Sequence, residues 1–276
     1  MTFTDSVHSA EVFLADDAWV MEPKYDGVRC LVHVDDGRVR LENRNGKLLS
    51  AASTNSHRPG ITAAFESMNL LGSWTFDGEL LEDGRMIVFD LPRSMTAAGR
   101  LVGPETPFER RREVLEKLGE LTGWGSSISR LRVATQVTSE SDKRVMFETI
   151  RETGGEGVMF KRADARYECK RTRTAGFKMK FTSTADVVVK APGAGDKASC
   201  TIVVFDDRGD EIVVGHCSTH QKPIVREGDV IEVRYLYVGT NGHLVQPRML
   251  RVRDDKYQSQ CGIDQLASSG VKKWVA

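Results

Sequence analysis

Apolar and polar positions alternate on both sides of the segment EPKYDGVR, Glu22–Arg29, with WVM before it and LVHV after Cys30. A period of two predicts strands, so this region reads as strand–turn–strand, with Lys24 held just before the Asp26-Gly27 bend. Alternation resumes over Arg38–Arg44, behind a hairpin turn at Asp35-Asp36-Gly37. ENRNG, Glu42–Gly46, then ends that strand in a loop carrying Arg44. Ile61–Leu71 has helical spacing (Ile61, Ala64, Phe65, Met68), and Gly72 is placed to stop it. WTFDGELL and RMIVFDL predict two strands joined by Glu82-Asp83-Gly84. Arg93–Pro107 reads as a Pro/Gly-bearing connection. Charged helices are expected from Phe108 to about Leu121 and over Ser141–Glu152, the second ended by Gly154-Gly155.

After a short strand, GVMFK, the chain becomes strongly basic. Lys161–Lys180 carries eight Lys/Arg against Asp164 and Glu168, a net of +6. Charges of one sign at that density repel unless anions bind nearby, which points to phosphate contact. Beyond Phe181-Thr182-Ser183-Thr184 the pattern changes to short β runs: ADVVVK, CTIVVFD, EIVVGHC, DVIEVRYLYV and LVQPRMLRVR. Turn signals separate them at Pro192-Gly193, Asp206–Gly209 and Gly239–Gly242. Five short strands in that span predict a small barrel, for which an OB-fold is the commonest choice, with a domain boundary near residue 184.

Composition changes this picture little. The 276 residues hold equal numbers of basic and acidic side chains, so a nucleic-acid partner must be held by a local basic surface. The five cysteines are widely spaced and form no CxxC pair, as expected of reduced thiols in the cytoplasm. The N-terminus lacks a basic n-region and a long apolar h-region, and no apolar run approaches the roughly 18 residues of a membrane span. Two motifs are decoys. GAGDKA, Gly193–Ala198, fits a dinucleotide fingerprint, but the residues after it are β-rich rather than helical. His216, Cys217 and His220 have no second pair at zinc spacing and read as loop residues.

Lys24 is the candidate for covalent chemistry. An ordinary lysine titrates near ~10.4 and is a poor nucleophile at neutral pH. Neighbouring cations and partial desolvation favour the neutral amine, which attacks phosphorus or a carbonyl. On its own the octapeptide is equally compatible with a surface lysine in a hairpin. The order of the later motifs decides between the two. KYDGVR, RNG, FDGEL, VFD, GGEGVMFK, FKMKF and PRMLRVRDDK follow one another from about Glu22 to Lys256. In that order they resemble the successive motifs of the covalent nucleotidyltransferases, most closely the ATP-dependent DNA ligases.

The resemblance implies an α+β protein. A nucleotidyltransferase domain of antiparallel sheets with flanking helices, an ATP-grasp-like ligase fold, would span residues 1–183, with an OB-fold barrel over 184–276. It implies three steps: Lys24 takes AMP from ATP, AMP moves to a DNA 5′-phosphate, and the 3′-hydroxyl displaces AMP, with the domains reorienting between the first step and the others. Glu22 would receive the adenine amino group, which argues for adenine over guanine. Arg29 and Arg44 match arginines that grip the AMP phosphate or the nick 5′-phosphate, a task suited to bidentate guanidinium. Arg253, Asp255 and Lys256 match the element that orients the pyrophosphate leaving group. The residue types suit this chemistry. Lys178 and Lys180 alternate along a strand and so share a face near the α-phosphate, where their charge favours neutral Lys24. Glu156, with Glu79 as a second, offers hard oxygen ligands for Mg²⁺. Phe89 offers a ring face to adenine, or is a core side chain. Lys161, Arg171 and Arg173 of the basic run are expected to meet nicked duplex DNA.

Only 23 residues precede Lys24, which suggests a minimal ligase of viral or accessory bacterial type. A monomer with no membrane association is expected. Three alternatives remain. An mRNA capping guanylyltransferase shares several motifs but typically has DG where this chain has Glu156-Gly157. An RNA ligase usually lacks the barrel motif. A non-enzymatic OB-type nucleic-acid-binding protein would have no reason to keep every candidate catalytic residue.

Overall fold

The computed structural model describes residues 2–5, 9–49, 58–126, 129–168, 171–193 and 198–266, with side chains for 9–49, 59–126, 129–168, 174–193 and 198–266. The chain forms two compact units, Met1–Phe147 with Gly157–Met179, and Glu148–Glu156 with Lys180–Ala276.

In chain order the first elements are β1 (Thr2–Asp5), α1 (Ala10–Leu14), β2 (Trp19–Pro23), β3 (Val28–Asp35), β4 (Arg38–Asn43) and α2 (Arg58–Glu66). They are followed by β5 (Ser73–Leu80), β6 (Met86–Thr96), β7 (Gly99–Val102), α3 (Phe108–Thr122), β8 (Leu131–Val133), α4 (Glu140–Glu152), β9 (Gly157–Arg162) and β10 (Arg171–Lys180). Among the described residues the strands make two sheets. One has the order β1-β10-β9-β2; the other runs β4-β3-β5-β6-β7, with β8 against β6.

Lys24 does not sit in a hairpin. β2 pairs antiparallel with β9, whereas β3 pairs with β4 and β5 in the other sheet. The physical reason lies in β2, where Val20, Met21, Glu22 and Pro23 are all buried. A strand covered on both faces belongs inside a layered domain rather than in a half-exposed hairpin. The expected strand–turn–strand is therefore a crossing from one sheet to the other, with Lys24 at its start.

The Asp36-Gly37 turn does close a hairpin. Both residues have positive φ, 45° and 79°, and Asp35 faces Arg38 across the two-residue loop. Strands β5 and β6 form the other expected hairpin. The presumed connection after Arg93 is different: β6 continues to Thr96 and turns back as β7. Pro92 is accommodated because β6 bulges there, Thr75 facing Arg93 while Asp77 faces Asp90, so no ladder donor is needed from the ring nitrogen. Helix α2 ends at Glu66, earlier than its spacing predicts. Its Ile61 and Phe65 pack with Leu115 of α3 on Val32, Val34, Phe76 and Val88 of the larger sheet. The other sheet carries a ring cluster, Phe13 stacked on Phe160 at 4.8 Å and edge-on to Trp19 at 5.0 Å. Lys143 of α4, buried, closes this region by donating to the carbonyls of Phe13, Asp16 and Trp19 at 3.2, 2.9 and 3.2 Å.

The second unit contains a closed barrel of β11 (Ser183–Pro192), β12 (Ser199–Phe205), β13 (Glu211–Ser218), β14 (Val230–Tyr235) and β15 (Arg248–Val252), in the order β11-β12-β13-β15-β14. Val187, Val189, Ile202, Val204, Ile231 and Val233 fill its interior. Cys217 points into that core, while its neighbour His216 is exposed on the opposite face of β13. Two 3-10 turns, Gln258–Gln260 and Ile263–Gln265, follow the last strand. Among the described residues no helix is long and apolar enough to cross a membrane.

Candidate active site

A cleft enclosing about 220 Å³ opens in the first unit, between the β2–β9–β10 side and the β3–β5–β6 side. Glu22, Lys24, Arg29, Glu79, Phe89, Lys161 and Lys178 line it, so seven of the site residues expected from the sequence converge there. Lys24 follows directly on β2, and its amide donates to the Gly157 carbonyl at 2.9 Å, which fixes where the chain leaves the sheet. Gly27 is needed three residues later because of close approach: a Cβ there would lie 2.4 Å from the Leu80 carbonyl oxygen.

The wall of the cleft is polar and buried. Asp77 of β5 and Asp90 of β6 are direct cross-strand partners, an arrangement of like charges that destabilises a sheet unless each is neutralised. Each has its own arginine. Arg29 grips Asp77 through Nε at 2.9 Å and Nη2 at 2.6 Å. Arg111 of α3 grips Asp90 at 2.7 and 2.9 Å. Tyr167 donates its hydroxyl to Asp77 at 2.7 Å and accepts from Arg29 at 3.3 Å. Burial, then the Asp77 charge, pushes the Tyr167 hydroxyl well above the ordinary phenol range. Burial by itself would lower Arg29, but the carboxylate and its hydrogen bonds outweigh it and raise the guanidinium. Beside them the Cys30 thiol is pushed up to about 12, by burial first and then by Asp77 and Glu79. Bulges in β6 on either side of Asp90 leave Phe89 without a ladder partner in β5 and turned toward the cleft.

Glu22 is 2 % exposed and held from two sides. Lys161 donates to its Oε2 at 2.6 Å, and Arg112 of α3 approaches Oε1 at 3.3 Å. Lys161, expected on the DNA-facing surface, is instead 4 % exposed. It lies one strand away from Glu22 as a diagonal cross-strand neighbour, and its ammonium sits over the Phe89 and Phe108 rings at 4.6 and 4.7 Å. A strand position facing the interior, not the surface charge run, decides its role.

The remaining expected residues are not among the described residues that line the cleft. Arg44 is exposed in the turn after β4 and is not among the cleft-lining residues. The side chains of Arg171 and Arg173 lie outside the described residues. In the second unit Glu156, 4 % exposed, pairs with Lys180 at 3.2 Å, and Lys180 also donates to Gln246 at 3.4 Å. Lys180 is thus engaged by a carboxylate and an amide rather than lining the cleft beside Lys178. Arg253 and Lys256 converge on Asp186 of β11, at 2.9 and 2.5 Å, and Arg253 also holds Asp255 through two bonds of 2.7 and 2.8 Å. That grip lowers the Asp255 carboxyl to about 2.

Sequence reasoning did not single out Asp77, Asp90, Arg111, Arg112, Tyr167 or Asp186. Arg111 and Arg112 sit in a helix that reads as charged throughout, and only packing against the sheet turns two of its arginines inward.

The motif order and this cleft agree with comparisons to known proteins. Residues 2–94 match the family model described as the ATP dependent DNA ligase domain. The chain is 27% identical over 212 residues to the multifunctional non-homologous end joining DNA repair protein LigD of Mycobacterium tuberculosis, and 30% identical over 176 residues to LigD of Pseudomonas aeruginosa. Residues 2–94 are thus similar to ATP-dependent DNA ligase domains, and the longer alignments are to LigD proteins. These alignments take in 69% and 56% of this chain but 25% and 19% of the relatives, so the chain spans about a fifth to a quarter of the length of the proteins it matches. Among solved structures, the ligase domain from M. tuberculosis LigD superimposes with a TM-score of 0.54 at 23% identity, covering 95% of this chain and 96% of that one. A Lig E DNA ligase gives 0.62 at 20% identity, with 92% and 99% covered. At these identities the likeness is one of fold.

Proposed function

We propose that this chain is an ATP-dependent DNA ligase, sealing 5′-phosphate/3′-hydroxyl nicks in duplex DNA through a lysyl-AMP intermediate on Lys24. The observation that carries this reading is the convergence of Lys24, Lys178, Glu22 and Phe89 in one cleft at the end of a buried strand. The unprotonated Lys24 amine attacks the α-phosphorus of ATP, the P–N bond forms, pyrophosphate leaves, and the amine proton passes to solvent. Lys178 lines the same cleft and would neutralise the α-phosphate charge that builds up in attack. Phe89 presents a ring to adenine, and Glu22 accepts from its amino group. AMP then passes to the 5′-phosphate of a nick, and the 3′-hydroxyl displaces it.

Arg29 grips Asp77 through Nε and Nη2, which fixes its guanidinium in the cleft wall, where it would meet the AMP or nick phosphate. Mg²⁺ fits the chemistry of the donors. Glu79 lines the cleft, and Mg²⁺ keeps several waters and shares substrate phosphate oxygens, so it needs only one or two carboxylates. When bound it would neutralise phosphate charge. Among the described residues no group of three or more such ligands is assembled. We read the closed five-stranded barrel as an OB-fold, and residues 1–183 and 184–276 as catalytic and OB domains.

The test is incubation with radiolabelled ATP and Mg²⁺, followed by gel analysis. Wild type is expected to retain AMP in an acid-labile bond, and Lys24→Ala to retain none. A label that survives acid, or persists in Lys24→Ala, would exclude the mechanism. Joining of a nicked duplex over a gapped or RNA-only substrate tests the polymer. Efficient labelling by GTP would favour a guanylyltransferase.

A further inference from the structure

Glu22 is the nucleobase reader in the reading above, on which this inference rests, and its side chain is not free to choose its orientation. One oxygen receives Lys161 at 2.6 Å and the other faces Arg112 at 3.3 Å, with all three side chains almost fully buried. Each cation is itself fixed. Lys161 is boxed between the Phe89 and Phe108 rings and reaches the Phe89 carbonyl at 3.5 Å. Arg112 donates to Glu116 at 2.7 Å and to the Ala134 carbonyl.

We propose that Lys161 and Arg112 are positioning residues for purine selection, holding Glu22 as a fixed acceptor toward a 6-amino group. An ionised carboxylate has about four lone-pair sites and no proton, so two occupied sites leave two that can only accept. Such a group welcomes the amino group of adenine and opposes the carbonyl of guanine, leaving two acceptors face to face. Lys161 also braces Phe89, the ring on which the base would stack, so one buried cation sets both the stacking surface and the acceptor. Removing Lys161 leaves a carboxylate that can swing in its pocket and a ring without its support.

The experiment compares two triphosphates in single-turnover self-adenylation: ATP, and purine riboside triphosphate, which lacks the 6-amino group. A purine without that group gives Glu22 nothing to accept, so its KM does not depend on how Glu22 is held. Lys161→Met and Arg112→Met are each expected to raise KM for ATP about tenfold, toward the value for the purine analogue. KM for the analogue should stay within about threefold of wild type in Arg112→Met, and in Lys161→Met, where Phe89 also loses its support, it should rise less than KM for ATP. Preference for ATP over GTP should fall by about tenfold in parallel. Lys161→Arg keeps the charge and is expected to restore part of the ATP preference. Equal losses for ATP and the analogue would overturn the proposal, since they mark general damage to the cleft. So would variants with unchanged selectivity. Should wild type form no lysyl-AMP at all, the proposed function fails instead, before the variants are compared. Should Lys161→Met not fold, Arg112→Met and Lys161→Arg supply the same comparison.

Discussion

At the scale of single residues, the wall of the cleft is built from paired buried charges. Asp77 and Asp90 face each other across two strands, and Arg29 and Arg111, with the Tyr167 hydroxyl on Asp77, make that tolerable. Removing one member of a buried pair typically costs about 3–5 kcal/mol, because the other is left uncompensated. The neighbouring Cys30 reports on this environment. Its folded value of about 12 lies above the unfolded thiol value of 9.0, so the folded chain keeps a proton that the unfolded chain releases. The stability from this group is present below pH 9 and lost as pH rises toward about 12. Cys30 is therefore expected to resist alkylation at pH 8 in the folded protein and to react fully in denaturant, as mass spectrometry would read. In a Cys30→Ser background, whatever its stability at pH 8, the fall of Tm above pH 9 should be shallower; an identical fall would assign the effect to other groups.

At the scale of elements, the decisive join is the four-residue crossing from β2 to β3. It puts Lys24 at the end of one sheet and Arg29 near the start of a strand in the other, so both reach the same cleft. The crossing is tight at Gly27, where any side chain meets the Leu80 carbonyl at 2.4 Å. Gly27→Ala must push the crossing off β5. We expect about 1–3 kcal/mol of destabilisation, typical of overpacking. Self-adenylation should fall at least tenfold at a temperature where the variant remains folded, since misplacement near 1 Å costs about a hundredfold in rate. Chemical denaturation and adenylation by the same preparation separate the two effects. Adenylation at the wild-type rate would mean that Lys24 is positioned independently of the crossing.

At the scale of the whole molecule, the basic run turns out to be less of an external surface than its net charge suggests. Lys161 is buried on Glu22, Lys178 lines the cleft, Lys180 pairs with Glu156, and Arg162 pairs with Asp164. Arg166 is left for a polymer, with Lys170, Arg171 and Arg173, whose side chains lie outside the described residues, as candidates from the sequence. All eight, less the two acids, would predict a log–log salt slope of about −5 for nicked-DNA binding, whereas roughly four phosphates predict about −3.6 from this stretch. Fluorescence anisotropy between 50 and 200 mM salt measures the difference between wild type and a variant with Arg166, Lys170, Arg171 and Arg173 replaced by Gln. Loss of about 3–4 from the slope is expected; an unchanged slope would remove this stretch from the DNA interface.

Much of this was legible in the chain itself. The Asp36-Gly37 and Glu82–Gly84 turns, the helices at Phe108 and Glu140, and the five barrel strands follow from local patterning, because turn geometry and hydrophobic period are properties of a few adjacent residues. The order of motifs likewise pointed to Lys24 and the side chains around it. Tertiary structure alone decided three things. It separated β2 from β3, because a strand buried on both faces seeks a layer, which no local pattern records. It turned Lys161 and Arg112 inward, because whether a cation in a charged segment meets water or a buried carboxylate depends on the strand or helix packed against it. It also joined Asp186 to Arg253 and Lys256, since an ion pair between positions 67 and 70 residues apart exists only once the barrel closes.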